Sequence, residues 1–364
     1  MEHIDVAVIG AGVTGLASAR AIALGGRSVC VLERHPRAGL DTSTHNSGVI
    51  HAGMYYPAGT LKARLCVEGR RLLYEFCART GVPHVKCGKL VVAHDSSETS
   101  VLETLLARGA ENGVEGLALV DRAFITAREP AVSAATALWS PETGVVDAEA
   151  LVRALARSGA DAGAMFLPAT RVVHAARGAD GMELRTGREA IHARLVVNAA
   201  GLFADDVSAA LDGEAFRIYP CRGEYVTLTR EKRAIVRGLV YPVPGAHSLG
   251  VHVVKTIDGD VWLGPTARFQ ERRDDYESNR LPVAAFVEPA RRLLDGITVD
   301  DLRLGGSGIR AKIHPPSEPF ADFMIRRDAR NPFVVQAAGI ESPGLTACLA
   351  VGNLVAGLVS EALR

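Results

Sequence analysis

The sequence has no excess of either charge. Lysine plus arginine number 41 and aspartate plus glutamate 41 among 364 residues. That balance gives no electrostatic reason to expect nucleic acid or an anionic membrane as a partner, although a local basic patch and a peripheral membrane contact stay compatible with it. No C-x-x-C pair is present. Cys30, Cys66, Cys77, Cys87, Cys221 and Cys348 are scattered along the chain, a pattern that fits reduced thiols in a cytoplasmic protein better than a disulfide frame, and no metal is expected. No apolar run reaches the length of a membrane span. No basic segment precedes the first apolar run, "MEHIDVAVIGAG", so that run reads as a first strand and not as a signal peptide. Internal repeats and low-complexity tracts are missing as well. What remains is an ordinary globular balance, 48% hydrophobic and 23% charged, in a chain long enough for two domains.

The first motif is "IDVAVIGAGVTGLASARAIALGGRSVCVLER". An apolar strand runs into Gly10, Gly12 and Gly15 in G-x-G-x-x-G spacing, a helix with an apolar stripe follows, and a second strand ends at Glu33. The spacing has a physical reading. Gly10 permits a tight turn, Gly12 lets backbone approach a pyrophosphate, and Gly15 lets the helix pack on the strand. The helix N-terminus offers N–H groups to phosphate, and Glu33 can accept from a ribose hydroxyl. The motif alone does not separate NAD from FAD. The next segment, "HPRAGLDTSTHNSGVIHAGMYYP", is a loop of small and polar residues where a further β-α unit would continue a nicotinamide domain. Such a loop suits an extended FAD with its ring end in a cavity.

Further along, residues 61 to 80 form an amphipathic helix ended by Gly81. "KCGKLVVAH" reads as a strand and residues 97 to 113 as a helix. "MFLPATRVVHAARG" and "GMELRTG" read as a β-meander. "ARLVVNAAGLFADDVSAAL" repeats the strand, small-residue turn and helix pattern, and residues 216 to 265 are rich in strands. Residues 271 to 300 read as exposed helix, and the C-terminal "FVVQAAGIESPGLTACLAVGNLVAGLVSEAL" returns to strand, turn and helix. The expected fold is α/β with an α+β second domain. Residues 1–82, 145–210 and 304–364 make a discontinuous Rossmann-like FAD-binding domain. Residues 83–144 and 211–303 make a substrate domain built on a mostly antiparallel sheet.

With GAGVTG and Glu33 go "NSGVIHAGMYYPAGTLKARLCVEG", "RGEY" at 222–225, "LGVHVVKTIDGDVWLGP" at 249–265 and "GIESPGLTACLAVG" at 339–352. Together these resemble the L-2-hydroxyglutarate dehydrogenase/oxidase family, within the FAD oxidoreductases that contain glycine oxidase, D-amino-acid oxidase and glycerol-phosphate dehydrogenase. The resemblance covers essentially the whole chain, and residues 46 to 69 are its most specific part. It implies a two-domain flavoprotein that oxidises a 2-hydroxy acid, most specifically L-2-hydroxyglutarate, with dioxygen or a quinone as electron acceptor. Carried over by motif, Gly10, Gly12, Val13, Thr14, Gly15, Glu33 and Arg34 take the ADP half, and Val172 meets adenine through its backbone. Ala200 and Gly201 line the cofactor. Thr44, Asn46 and Ser47 lie near the pyrophosphate or the ring, with His45 structural or in contact with FAD. Gly339, Ile340, Glu341, Gly344, Leu345 and Thr346 bring a helix N-terminus to the flavin pyrimidine edge.

Oxidising a 2-hydroxy acid requires hydride transfer from the α-carbon to flavin N5, a base for the hydroxyl proton, and cations for the carboxylates. His51 is the candidate base, because it lies in the flavin-facing loop and histidine titrates near neutrality; the alternative is that it only hydrogen-bonds the flavin or a carbonyl. Tyr55 and Tyr56 alternate sides if the segment is extended, and Tyr56 is the one assigned to the substrate. Arg310 is assigned to the α-carboxylate, against the alternative of a salt bridge within the cofactor domain. His252 and Lys255 face opposite sides of a regular strand; His252 is favoured for the site and Lys255 is kept for the distal carboxylate. Glu341 reads as a cap of the last helix before it reads as a base. No cysteine or histidine spacing compels a covalent flavin. An amino-acid oxidase on the same scaffold and a non-catalytic FAD-binding protein are the competing functions.

Overall fold

The structure, a computed structural model, describes residues 2–245 and 250–364. Its first sheet is centred on Glu2–Ile9, which pairs in parallel with Val29–Leu32 on one side and with Ala190–Asn198 on the other. Val6, Ala7 and Val8 are fully buried, as a strand covered on both faces requires, and this is why the sequence shows an unbroken apolar run there instead of alternation. The long strand Ala190–Asn198 divides its far edge. Met182–Thr186 runs antiparallel along its first half, and Val334–Ala338 runs parallel along its second. The register sets Ile9 beside Asn198 and Asn198 beside Gln336. The turns GAGVTG, NAAG and AAGIESPG therefore leave the carboxyl ends of three adjacent strands, the edge at which parallel sheets bind their ligands.

The helices Val13–Leu24, Leu61–Thr80, Ala148–Asp161 and Gly344–Ala362 share one core with this sheet. Gly344–Ala362 is long and apolar enough to cross a membrane, which corrects the expectation that no run reaches that length. It packs instead against Val13–Leu24 and Leu61–Thr80. A side chain at Gly352 would stand 2.6 Å from the backbone of Ala17, and one at Gly69 2.6 Å from Ala347, so glycine lets these helices cross closely.

The second sheet has nine strands and is antiparallel except where Leu239–Pro242 meets Lys89–Ala93. The helix Ser96–Glu111 packs against it. Three expectations change here. Residues 271 to 300 hold only short turns of helix, Val283–Phe286, Val287–Arg291 and Val299–Asp301. Most of the segment is exposed, as expected, but Phe286, Ala290, Leu293, Leu294 and Ile297 are buried in the core under the second sheet. Leu302–Lys312, placed from residue 304 with the nucleotide-binding part, pairs antiparallel with Tyr219–Leu228 in the second sheet. The expected meander is present in Val172–Arg177 and Met182–Thr186, which continue antiparallel into Ala190–Asn198, but Met165–Leu167 lies outside it and pairs in parallel with Val29–Leu32 at the opposite edge.

Candidate active site

The edge where the three turns emerge faces the second sheet across a cavity of about 560 Å³. Gly10 (φ 106°) turns against the Ala199–Ala200 backbone, and a side chain there would stand 2.5 Å from the Ala199 carbonyl. A side chain at Gly15 would press into the Gly10 carbonyl. Gly12, Val13 and Thr14 line the cavity at the start of the first helix. Gly344 and Leu345 line it at the start of the last helix, and in neither helix does the N-cap residue, Gly12 or Pro343, make a side-chain cap. Two helix N-termini with uncapped N–H groups thus open into one space.

Glu33 ends its strand buried. Its two oxygens accept from Ala11 N and His35 N, each at 2.8 Å. Thr170 N and Ala169 N donate to the carbonyls of Glu33 and His35 at 2.6 and 2.7 Å, which brings the chain leading into Val172 alongside, although Val172 does not line the main cavity. The Arg34 guanidinium lies 3.8 Å from the centre of the Phe203 ring and pairs with Asp41 at 2.9 Å. Ala199 and Gly201 line the cavity; Ala200 and Gly339, next to lining residues in the chain, do not.

The loop 41–48 is braced from within. Asn46 Nδ2 donates to the carbonyls of Thr42 and Ser43, and its Oδ1 accepts from Gly48 N. Thr44 differs from expectation: its hydroxyl closes a turn on the Gly39 carbonyl at 2.6 Å, and it does not line the cavity. The residue in its assigned place is Ser43, whose Oγ accepts from Val13 N at 3.0 Å. His45, Asn46 and Ser47 do line the cavity. Thr42 donates to the Ile309 carbonyl at 2.8 Å, and a side chain at Gly308 would collide with the His45 carbonyl. The second sheet is thereby held against the loop.

His51 is fixed through its backbone, whose N–H donates to Thr346 Oγ1 at 3.0 Å. That bond is the part Thr346 plays, since it does not itself reach the cavity. His51 Nε2 lies 3.3 Å from Ser342 Oγ, and Tyr56 Oη lies 3.3 Å from the same oxygen. His51 Nδ1, Tyr55 Oη and Tyr241 Oη are buried without a hydrogen-bond partner among the described residues. Both Tyr55 and Tyr56 line the cavity, because residues 53–56 form a turn and not the extended segment that would part them.

His252 also lines the cavity, stacked on Tyr241 at 3.8 Å with its Nδ1 2.9 Å from the Gly250 carbonyl. A carbonyl only accepts, so Nδ1 carries the proton and Nε2 is left with its lone pair. Burial holds the His252 imidazole well below its ordinary range. Lys255 points away: its ammonium donates to the Val236 carbonyl at 2.7 Å and it does not line the cavity. The assignment of Lys255 to a distal carboxylate is therefore corrected. Arg310 lines the cavity and donates to the Thr266 carbonyl at 3.2 Å. It has no carboxylate partner among the described residues, so it is not the structural salt bridge that was its alternative.

Glu341 neither caps the last helix nor is free to act as a base. It lies between Lys62 at 2.9 Å and Lys312 at 3.0 Å. Burial disfavours the ionised carboxylate, but the two ammonium groups outweigh that and hold it at about 2. The "RGEY" motif is also scaffold in its charged part, because Arg222 and Glu224 form a fully buried pair at 3.0 Å.

Sequence reading missed Lys89. It sits in a strand buried at every position, with its ammonium 4.4 Å from the ring centres of both Tyr55 and Tyr241 and no hydrogen-bond partner among the described residues. Burial, opposed by the neighbouring Cys66, brings it down to about 7. Burial first and the Lys89 charge second hold His51 at about 3. A lysine inside an otherwise apolar strand is the signal that could have found it. At acid pH Lys89 is protonated and repels a proton from His51. Lys89→Met is accordingly expected to move the acid limb of the flavin-reduction rate to higher pH; an unmoved limb in stopped-flow profiles would separate Lys89 from His51.

These features fit an extended dinucleotide: a glycine turn open to phosphate, a second uncapped helix across the cavity, and orphaned polar atoms at the far end. Comparison with known proteins agrees. The chain matches the family "DAO: FAD dependent oxidoreductase" over residues 5–358. The mitochondrial L-2-hydroxyglutarate dehydrogenase of Arabidopsis thaliana is 36% identical, the match covering 98% of this chain and 83% of that protein. That of Homo sapiens is 32% identical, covering 98% and 89%. Dithionite-reduced L-alpha-glycerophosphate oxidase from Mycoplasma pneumoniae with FAD bound has a TM-score of 0.91 at 25% identity, covering 99% of this chain and 95% of that one. Glycine oxidase from Geobacillus kaustophilus shares the fold with a TM-score of 0.84 at 23% identity, covering 99% and 95%. The expected cytoplasmic location is corrected by the same relatives, which are named as mitochondrial proteins; scattered cysteines do not distinguish one compartment from the other. From residue 5 to residue 358 the chain belongs to the FAD-dependent oxidoreductase family, alongside the L-2-hydroxyglutarate dehydrogenases.

Proposed function

We propose that this enzyme oxidises L-2-hydroxyglutarate to 2-oxoglutarate. The observation that carries the reading is the convergence of a neutral, half-buried imidazole, His51, and a guanidinium without a carboxylate partner among the described residues, Arg310, in one cavity with two helix N-termini. When bound, FAD would supply the two-electron acceptor for the α-hydrogen, with a quinone or dioxygen as the oxidant that would regenerate it. The residues that would hold FAD are Gly12 to Thr14, Glu33, Ser43, Asn46 and the start of the last helix.

The chain's own part is positioning and proton transfer. Arg310 holds the carboxylate next to the carbinol carbon through charge-assisted hydrogen bonds. His51, held neutral by desolvation and by the nearby Lys89 charge, takes the hydroxyl proton as the carbonyl forms. Tyr56 and Ser342 bond around His51 Nε2 and fix the ring. Once His51 carries the proton, Ser342 Oγ can accept from it. His252, with Nε2 free to accept, faces the same space. The division of labour that fits this is a nucleotide-binding part on the first sheet and a substrate part on the second, with Leu302–Lys312 in the latter.

A panel tests the reading. The oxidised holoenzyme under argon is mixed with L-2-hydroxyglutarate, its D-enantiomer, L-lactate, glycine and L-proline. Fast bleaching of the flavin by the L-diacid alone is expected. Bleaching by glycine or proline and not by the diacid would make the chain an amino-acid oxidase.

A further inference from the structure

Four long cationic side chains line the cavity: Lys62, Arg108, Arg310 and Lys312. They are not equivalent. Lys62 and Lys312 are both committed to Glu341. Arg310 and Arg108 have no carboxylate partner among the described residues. Arg108 stands on the helix Ser96–Glu111, one turn after Leu105, which lines the same cavity. This turn of the helix therefore faces inward, on the i, i+3 spacing that puts two side chains on one face. The Arg108 side chain is half-buried, and among the described residues its one hydrogen bond runs from Nη1 to the Tyr55 carbonyl at 3.3 Å. That contact ties the guanidinium to the tyrosine turn and leaves Nε and Nη2 without a partner among the described residues. A guanidinium presents its donors as a planar fork suited to a carboxylate.

We propose that Arg108 holds the second carboxylate of the substrate and so sets the preference of this site for a diacid over a monoacid. The proposal rests on the reading of the substrate as a 2-hydroxy diacid with Arg310 at the first carboxylate. Two guanidinium groups without a carboxylate, on different elements around one cavity, then meet two carboxylates on one small molecule. Lys255, on the far side of its strand, takes no part. Arg108 comes from the second-sheet side, on a helix that packs against that sheet. The Lys62–Glu341–Lys312 cluster is the competing anchor, but each of its ammonium groups already has a carboxylate oxygen within 3.0 Å.

The test compares wild-type holoenzyme with Arg108→Leu and Arg108→Lys, each first checked for FAD content. Dissociation constants of 2-oxoglutarate and 2-oxobutyrate are read from the flavin absorbance of the oxidised protein, and anaerobic reduction is followed with L-2-hydroxyglutarate and L-2-hydroxybutyrate. One charge-assisted contact corresponds to about 10–100-fold in binding. Arg108→Leu is expected to lower the diacid-to-monoacid preference by about that factor in both measurements, and Arg108→Lys to restore part of it. An unchanged preference, or equal loss on both acids, would overturn the assignment of Arg108 while leaving L-2-hydroxyglutarate oxidation by the wild type intact. A wild type that the diacid does not reduce would overturn the substrate reading and this assignment together.

Discussion

Replacing His51 by alanine is expected to leave FAD bound and to slow reduction of the flavin by L-2-hydroxyglutarate about 10²–10⁴-fold, the range for one positioned acid–base group. The position of His51 is set by backbone, through its N–H bond to Thr346, so the substitution removes an imidazole without releasing the loop. Its proton-accepting form is the resting form. Burial and the Lys89 charge hold the pKa at about 3 instead of 6.5, so the wild-type rate should stay level as the pH falls through 6.5 and turn down only well below it. His51→Gln, which keeps bulk and polarity, should be as slow as alanine if proton transfer is what His51 does. Stopped-flow reduction settles this. A rate within threefold of wild type would leave His51 a hydrogen-bonding partner of the cofactor or the loop.

The parts of this site that were legible in the sequence are those written along it. G-x-G-x-x-G spacing reports a local event, a strand, a turn and a helix within some twenty residues, and the structure has all three. The helix Leu61–Thr80 was visible to its ends because an apolar face and a glycine in left-handed conformation mark it locally. What was hidden depends on pairings across the chain. Ser342 touches His51 from 291 residues away, and nothing near Ser342 in the sequence announces that. Lys89 and Arg108 look like a strand end and a solvated helix face until Tyr55 is brought against both. Thr44 and Ser43 are adjacent and alike, and only the helix placed over Ser43 tells them apart. Lys255 was separated from His252 by strand alternation alone, and the structure adds the carbonyl that holds it away. Residues 271 to 300 carry helix-forming composition, yet the second sheet draws five of their apolar side chains into its core, and burial overrides propensity there.

Glu341→Ala should be the most destabilising single substitution in the cavity wall. Lys62, Glu341 and Lys312 are almost wholly withdrawn from solvent, with side-chain exposures of 4%, 8% and 13%. Their charges are sustained by each other. Removing the one carboxylate leaves two ammonium groups facing each other in a dry wall, and breaking a buried pair in this way costs about 3–5 kcal/mol. The three residues tie separate parts of the chain: Lys62 on the helix Leu61–Thr80, Lys312 at the end of a strand of the second sheet, and Glu341 in the turn before the last helix. The loss should therefore be felt globally. Urea unfolding of the apoprotein measures it without the contribution of bound cofactor. The pH dependence has a definite sign. The Glu341 carboxyl is depressed from 4.5 to about 2, so its contribution is fully present above 4.5 and is lost as the pH falls towards 2. The difference in stability between wild type and Glu341→Ala should be constant at neutral pH and shrink below 4.5. Lys62→Met combined with Glu341→Leu should recover part of the loss, since it removes an unpaired charge and fills the space. A Glu341→Ala loss below about 1 kcal/mol, the range of exposed ion pairs, would mean that water reaches the cluster and that the three charges do not depend on one another.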